Sequence, residues 1–296
     1  MMRGAAAWRQ PVSRQGQSGV VLINVLVILA LTSAMVFAMI SLSDLSIARS
    51  QRFSEAGQAQ ALIAAGEASA MVALRRDMEE GAATDHPGEP WAQIAQAEVR
   101  IDAGRFALQI ADAQGLFNLN SLPGSGAAGA QILQRIVAVL DLPADVGPRI
   151  IARLAQPAPL ERLADLVAEA GLEDAEVTRL ATLVTVLPGR TEVNVNTAPE
   201  ALLAVLADNP VQANALAGRR ARNGFLTPAD VAAARVILPP GVGYTSRFFA
   251  LRVTVTVGET TQTAASLLQR RRDAGGPQVA VIARDSGPGG PVPLPD

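Results

Sequence analysis

Residues 18–44, SGVVLINVLVILALTSAMVFAMISLSD, decide how the rest of the chain is to be read. From Val20 to Leu42 there is no charged residue. Arg3, Arg9 and Arg14 precede the run without an acid, and Asp44 ends it. A run of ~23 residues is ~35 Å long as a helix at 1.5 Å per residue, enough to span a bilayer. Arginines ahead of it keep the N-terminus cytoplasmic and send the remainder across. A cleaved secretory signal has an apolar stretch of only ~7–15 residues with a small-x-small site just beyond. This run is longer and no Ala-x-Ala follows it directly. Two residues stand out: Gly19 immediately before the run, and polar Asn24 inside it.

The helical pattern does not stop at Asp44. No proline occurs from there to Glu80, and Ala56, Ala59, Ile63, Gly66 and Ala70 continue the spacing of three and four begun around Ile47. One helix over 20–80 is predicted, ~90 Å long, with an amphipathic outer half that needs something to lie against. Beyond it, EVRIDAGRFALQIADAQG reads as a hairpin: Val99 and Ile101 alternate, Ala103-Gly104 turns, and Phe106, Leu108 and Ile110 alternate back. SRFFALRVTVTVGETTQTAASLLQRRR supplies two strands around Gly258, and QVAVIARD a third. Between these groups, about 127–236, Ala- and Leu-rich segments punctuated by Pro and Gly read as helices. Thr197-Ala-Pro-Glu200 and Thr227-Pro-Ala-Asp230 mark two helix starts, with Thr at the N-cap and an acid three residues on. The Pro/Gly-rich end from Ser286 reads as disordered.

Composition narrows the chemistry. In 296 residues there is no Cys and a single histidine, His86, so thiol catalysis, zinc–thiolate sites and multi-histidine metal sites are excluded. His86 beside Pro87 reads as a solvated loop residue. The net charge of -2 gives no general argument for nucleic acid. All 25 basic residues are Arg, which reads as genome composition.

A basic leader, Gly19 and a long apolar N-terminal helix resemble the prepilin architecture of type IV pilins and type II secretion pseudopilins. In that family a membrane aspartyl peptidase cuts after the glycine. The resemblance therefore implies cleavage between Gly19 and Val20, and N-methylation of Val20. Most members carry Glu at the fifth mature position, where this chain has Asn24; the minor pseudopilin K group lacks that Glu. A carboxylate near mid-membrane costs roughly 2.5–3.5 kcal/mol on insertion scales unless paired. In major subunits the implied partner is a neighbour's N-terminal amine. A subunit at the filament tip has no neighbour above it, so the neutral Asn24 is its marker.

The stretches DAQGLFNLNSL (112–122), EVNVNTAPEALLAVL (192–206) and RFFALRVTVTVG (247–258) also resemble the K family, and the likeness covers nearly the whole chain. It implies an α+β fold: a pilin-like long N-terminal helix on a small antiparallel β-sheet, with an inserted all-α domain like a sterile alpha motif. The expected organisation is a leader at 1–19 and the helix at 20–80. Sheet regions follow at 95–118 and 243–285, the inserted domain at 119–242 and a disordered tail at 286–296. The implied protein is a single-pass inner-membrane protein of a Gram-negative bacterium, its soluble domain periplasmic and its role assembly rather than catalysis. The implied partners are minor pseudopilins I and J, with H, the major pseudopilin G, the prepilin peptidase and the inner-membrane assembly platform.

Three patterns compete for other functions. Gly124-Ser-Gly126-Ala-Ala-Gly129 matches a dinucleotide fingerprint, but Pro123 rather than a buried parallel strand precedes it. The segment 193–231 resembles helix-hairpin-helix modules, with Arg219, Arg220 and Arg222 as candidate phosphate contacts; this is the reading of a DNA-uptake or type IV minor pilin. Its hairpin, Ala207-Asp208-Asn209-Pro210, lacks a glycine, holds an acid, and loses an amide at Pro210. Asp165, Glu169, Glu173, Asp174 and Glu176 cluster in a way that calcium would suit, but at no EF-hand spacing. A solvated acidic face is the expectation there, with no metal ligand named and no cofactor required.

Overall fold

The computed structural model describes residues 17–81 and 83–286. The expected leader through Gly16 and the expected tail from Gly287 lie outside the described residues. The chain divides into two compact units, Met1–Ser54 and Glu55–Asp296, each with its own organisation.

Helix α1 runs Gln17–Glu80. In the first unit it is the sole described element; neither Gly nor Pro occurs from Val20 to Ala56, so nothing breaks the backbone ladder. Among its side chains, the Thr32 hydroxyl donates to the Ile28 and Leu29 carbonyls at 2.9 and 3.0 Å. That polar group is satisfied without water.

The second unit begins at Glu55. After α1 come α2 (Pro90–Gln93), β1 (Gln96–Ile101), β2 (Gly104–Asp112), β3 (Phe117–Asn118), α3 (Gly126–Val139) and α4 (Val146–Leu154). Then follow α5 (Asp165–Glu169), α6 (Asp174–Leu180), β4 (Val184–Thr185), β5 (Val193–Asn194), α7 (Glu200–Ala207), α8 (Pro210–Asn223) and α9 (Pro228–Ala233). The chain closes with β6 (Val242–Gly243), β7 (Phe248–Val257), β8 (Thr260–Asp273) and β9 (Gly276–Ser286).

Five strands form one antiparallel sheet in the order β1-β2-β7-β8-β9. The β1–β2 turn falls on Asp102-Ala103, one residue earlier than the Ala103-Gly104 expectation, because Gly104 already pairs with Ile101. Along β7 the period of two sends Phe249, Leu251, Val253, Val255 and Val257 to the face covered by α1. The small-residue stripe meets them there: Ala59, Ile63, Ala70 and Leu74 are buried. A Cβ on Gly66 would lie 3.1 Å from Val253 and 3.3 Å from Phe106. The stripe that the sequence leaves looking for a partner is thus occupied by the chain's own sheet. Two charged residues share that buried face. Glu67 accepts from the Ser266 hydroxyl at 2.5 Å and pairs with Arg284, while Asp77 pairs with Arg270.

The strands β2 and β7 are neighbours in the sheet, yet residues 113–247 run between them. That insertion is helical, stitched by two short parallel pairs, β3–β4 and β5–β6. It contains an internal duplication. FNLNSLP (117–123) and VNVNTAP (193–199) share the pattern Asn-x-Asn-Ser/Thr-x-Pro. In both, the first Asn accepts from the amide of the second. In both, the second Asn grips one distant residue through backbone N–H and C=O: Asn120 grips Leu160, and Asn196 grips Leu226. In both, a helix follows and ends with an Asp in the left-handed region, Asp141 (φ 50°) or Asp208 (φ 54°). Two hydrophobic clusters fill the insertion: one around Leu133, Ile136 and Ile150 that also takes in Leu202 and Leu206 of the second copy, and one around Leu203, Leu216 and Leu226.

Thr227 caps α9 as expected: its hydroxyl accepts from the Asp230 amide, and the Asp230 carboxylate accepts from the Thr227 amide at 3.0 Å. At the other start, Pro199 is the N-cap of α7, and the Thr197 hydroxyl donates to Asp112 at 2.6 Å instead. A helix start would use this hydroxyl only as an acceptor, whereas the buried Asp112 carboxylate needs donors, and Thr197 is turned to supply one.

Candidate functional site

The candidate assembly element is the helix of the first unit. Large apolar side chains from Val20 to Ile47 are exposed, and Phe53 is 84% exposed. The most apolar 18-residue window has a mean hydropathy of 2.7, long and apolar enough to cross a membrane. Gly19 and Val20 lie inside α1, so the helix begins before the expected cleavage point. Asn24 stands one helical turn beyond Val20, exposed, and its amide finds no hydrogen-bond partner among the described residues.

The second unit holds the polar seam that fastens the inserted domain to the sheet. Asp112, at the end of β2, is its anchor. It accepts from the Gln114 amide (2.8 Å), Asn194 Nδ2 (2.7 Å), the Ser246 hydroxyl (2.6 Å) and the Thr197 hydroxyl. Asn194 also donates to the Asp85 carbonyl at 2.9 Å, so one amide ties the insertion to both β2 and the loop after α1. Gln114 adds a second tie, donating to the Glu192 carbonyl and accepting from the Arg247 amide.

Arg270 on β8 is the cation of the seam. It donates to Asp77 at 2.6 Å, to both oxygens of Asp85, and to the Ser246 carbonyl at 2.6 Å, and it lies over the Phe249 ring. Ser246 N donates to Asp85 at 2.5 Å. Nearby, Glu89 accepts from the Trp91 indole at 2.7 Å and from the His86 amide at 3.0 Å. Acids outnumber bases here, and burial decides their titration. Desolvation pushes Asp85 up to about 6 against the pull of Arg270, and pushes Glu89 up to about 7 against the donors Trp91 and His86. Asp112 is also raised by burial, although four donors oppose it.

His86 is not a solvated loop residue. It stacks on Phe225 of the insertion with centroids 4.5 Å apart and planes at 6°, accepts from the Gly88 amide, and is lowered in pKa by burial.

Among the described residues, only Asp77, Asp85 and Glu89 bring three ligand-type oxygens within 4.8 Å of one another. Arg270 sits in that cluster and supplies its positive charge. The acids of 165–176 are spread over other duties. Glu169 pairs with Arg153, Glu176 with Arg149, and Asp165 with Arg162. Glu173 and Glu176 form the capping box of α6.

Most residues of the two nucleic-acid patterns are engaged in packing, and Arg222 is exposed. Arg190 lies against Gly124, Gly126 sits at φ 59°, and Gly129 leaves room for the Ser125 side chain, which accounts for all three glycines. Arg219 pairs with Asp230, and Arg220 donates to the Val195 and Ala198 carbonyls at 2.8 and 2.6 Å. Burial lowers the Arg220 pKa.

A family model described as "Type II secretion system (T2SS), protein K" matches residues 193–240, the second copy of the duplication. A curated relative, type II secretion system protein K of Pseudomonas aeruginosa strain PAO1, is 30% identical over 324 aligned residues, covering 95% of this chain and 96% of the relative. The chain belongs to the type II secretion system protein K family. Among solved structures, a chain of the GspK–GspI–GspJ complex from the enterotoxigenic Escherichia coli type 2 secretion system shares the fold. The TM-score is 0.63 at 22% identity, over 81% of this chain and 99% of that one. This K-family chain is therefore a secretion-system component anchored by one N-terminal apolar helix. The seam residues Asp77, Asp85, Glu89, Asp112, Asn194, Ser246 and Arg270 escape a reading of the sequence. The repeated Asn-x-Asn pattern is the signal that finds two of the clamps.

Proposed function

We propose that this minor pseudopilin occupies the tip of the pseudopilus, with the I and J pseudopilins as its direct neighbours. There it starts the filament that drives folded proteins through the outer membrane. The observation that carries this reading is Asn24, a neutral amide without an internal partner, one turn after Val20 on a fully exposed apolar helix. An unpaired Glu there would cost roughly 2.5–3.5 kcal/mol in the membrane, and Asn removes the need for a neighbour's amine. Cleavage after Gly19 makes Val20 the methylated N-terminus. The arginines before it keep that end cytoplasmic, so the second unit lies in the periplasm. The work is assembly, not catalysis, and the bulk of the inserted domain blocks addition of a further subunit above.

With its own sheet covering Ala59, Ile63, Gly66 and Ala70, α1 packs against neighbouring helices through residues 20–54. The test is co-purification of the full chain with I and J from the same organism in detergent. Absence of a ternary complex, under conditions where I and J pair, overturns the tip assignment. Gly19→Leu leaves the precursor uncut, and mass spectrometry of the wild type finds methylated Val20. The DNA-uptake reading is disfavoured by Arg219 and Arg220, whose guanidiniums are already engaged within the fold.

A further inference from the structure

Beside the Gln114 tie the insertion holds a cavity of about 490 Å³ whose two arginine side chains take no part in the seam. Its walls come from the loop before α3, residues 190–193, and residues 240–247. The polar floor is already committed. Gln114 bridges the Glu192 carbonyl and the Arg247 amide, Asn118 holds Gly189 and Thr191, and Ser121 bonds the Thr191 backbone both ways. The two arginines on the wall are less committed. Arg190 donates to the Gly124 carbonyl at 2.9 Å, and Arg247 donates to the Arg190 carbonyl at 3.0 Å. Among the described residues neither guanidinium has a carboxylate within ion-pair reach. Each guanidinium carries five N–H donors, so most of theirs remain available.

We propose that this cavity receives one carboxylate, an acidic side chain presented by a protein partner. The charge of the lining selects the ligand. Arg190 and Arg247 give two positive charges and Glu192 one negative, leaving a single positive charge to balance. One carboxylate neutralises that charge; a doubly charged phosphate overshoots it and leaves the site net negative. Guanidinium forks aligned by backbone carbonyls suit the planar carboxylate. The volume exceeds what a carboxylate alone fills, so a side chain with flanking backbone enters. The proposal is independent of the tip assignment.

The test uses full-length protein in detergent micelles, with ¹⁵N-labelled arginine and the blocked peptide acetyl-Gly-Gly-Asp-Gly-Gly-amide as probe. The Arg190 and Arg247 Nε–H signals are expected to shift saturably, and the Asn version of the peptide to bind at least about tenfold more weakly. Arg247→Gln should weaken the Asp peptide about tenfold. Glu192→Gln, an exposed change that keeps the fold, should tighten it severalfold. The proposal is overturned by equal binding of the Asp and Asn peptides, by weaker binding to Glu192→Gln, or by no saturable shift. Tighter binding of inorganic phosphate at pH 8 than of the Asp peptide overturns it too.

Discussion

Replacing Arg270 with Gln tests the seam most directly. The Arg270 side chain is 10% exposed, its partner carboxylates Asp77 and Asp85 are 4% and 1% exposed, and among the described residues no second arginine pairs with either. Removing one member of such a buried set leaves the others uncompensated, a loss of about 3–5 kcal/mol. For a unit of this size, that lowers the midpoint of thermal unfolding by about 10 °C at pH 8. The loss must shrink in acid. Asp85 and Glu89 titrate near about 6 and about 7 when folded, above their ordinary values. Groups raised in this direction favour the fold below their unfolded values, and that contribution fades as pH rises through the folded ones. These two groups therefore add stability from pH 8 toward pH 5, while His86, lowered by burial, works against them. In the variant, Asp85 loses the cation that holds it down and takes up its proton at still higher pH. At pH 5 it is neutral, and much of the penalty is gone. The assay is thermal unfolding by circular dichroism of the full chain in detergent at both pH values, with Asp85→Asn/Arg270→Gln expected to recover at least half the loss at pH 8. A penalty below about 1 kcal/mol at pH 8, or the same penalty at both pH values, refutes the reasoning.

Other parts of the fold give independent checks. Glu89→Gln removes a carboxylate that is costly when charged, so it should flatten the loss of stability between pH 5 and 8 by on the order of 3 kcal/mol, seen in urea melts. Asn194→Ala strips donors from Asp112 and the Asp85 carbonyl. It should cost about 2–3 kcal/mol and speed amide exchange at residues 193–197 ahead of the sheet. Gly66→Val forces a branched side chain against Val253 and Phe106, a loss of about 1–3 kcal/mol by thermal unfolding, whereas the neighbouring exposed Ala65→Val should cost little. Thr227→Ala opens the capping box of α9 and should cost about 1 kcal/mol in denaturant titration.

Much of the architecture is legible in the residues because it rests on local periodicity. The apolar run from Val20, the absence of Pro and Gly through Ala56, and the alternation in 248–257 specify α1 and β7 without reference to distant contacts. So do the Thr227–Asp230 cap and the turn at Gly258. The role of Thr197 misleads because its capping pattern is local while its true acceptor, Asp112, is 85 residues away. His86 misleads for the same reason, since Phe225 reaches it only in the folded chain.

What the sequence by itself determines is the long N-terminal helix with Gly19, Val20 and Asn24, the strand pairs, and a helical insertion between them. These follow from spacing, which hydrophobic burial reads directly. Only the tertiary structure decides that the Ala/Gly stripe is spent on the chain's own sheet. It alone joins Asp77, Asp85, Glu89, Asp112, Asn194, Ser246 and Arg270 into one buried seam. Charged residues scattered over nearly 200 positions look like solvated surface until folding removes the water around them. Whether each then costs stability or supplies it depends on which partner the fold brings within hydrogen-bond reach.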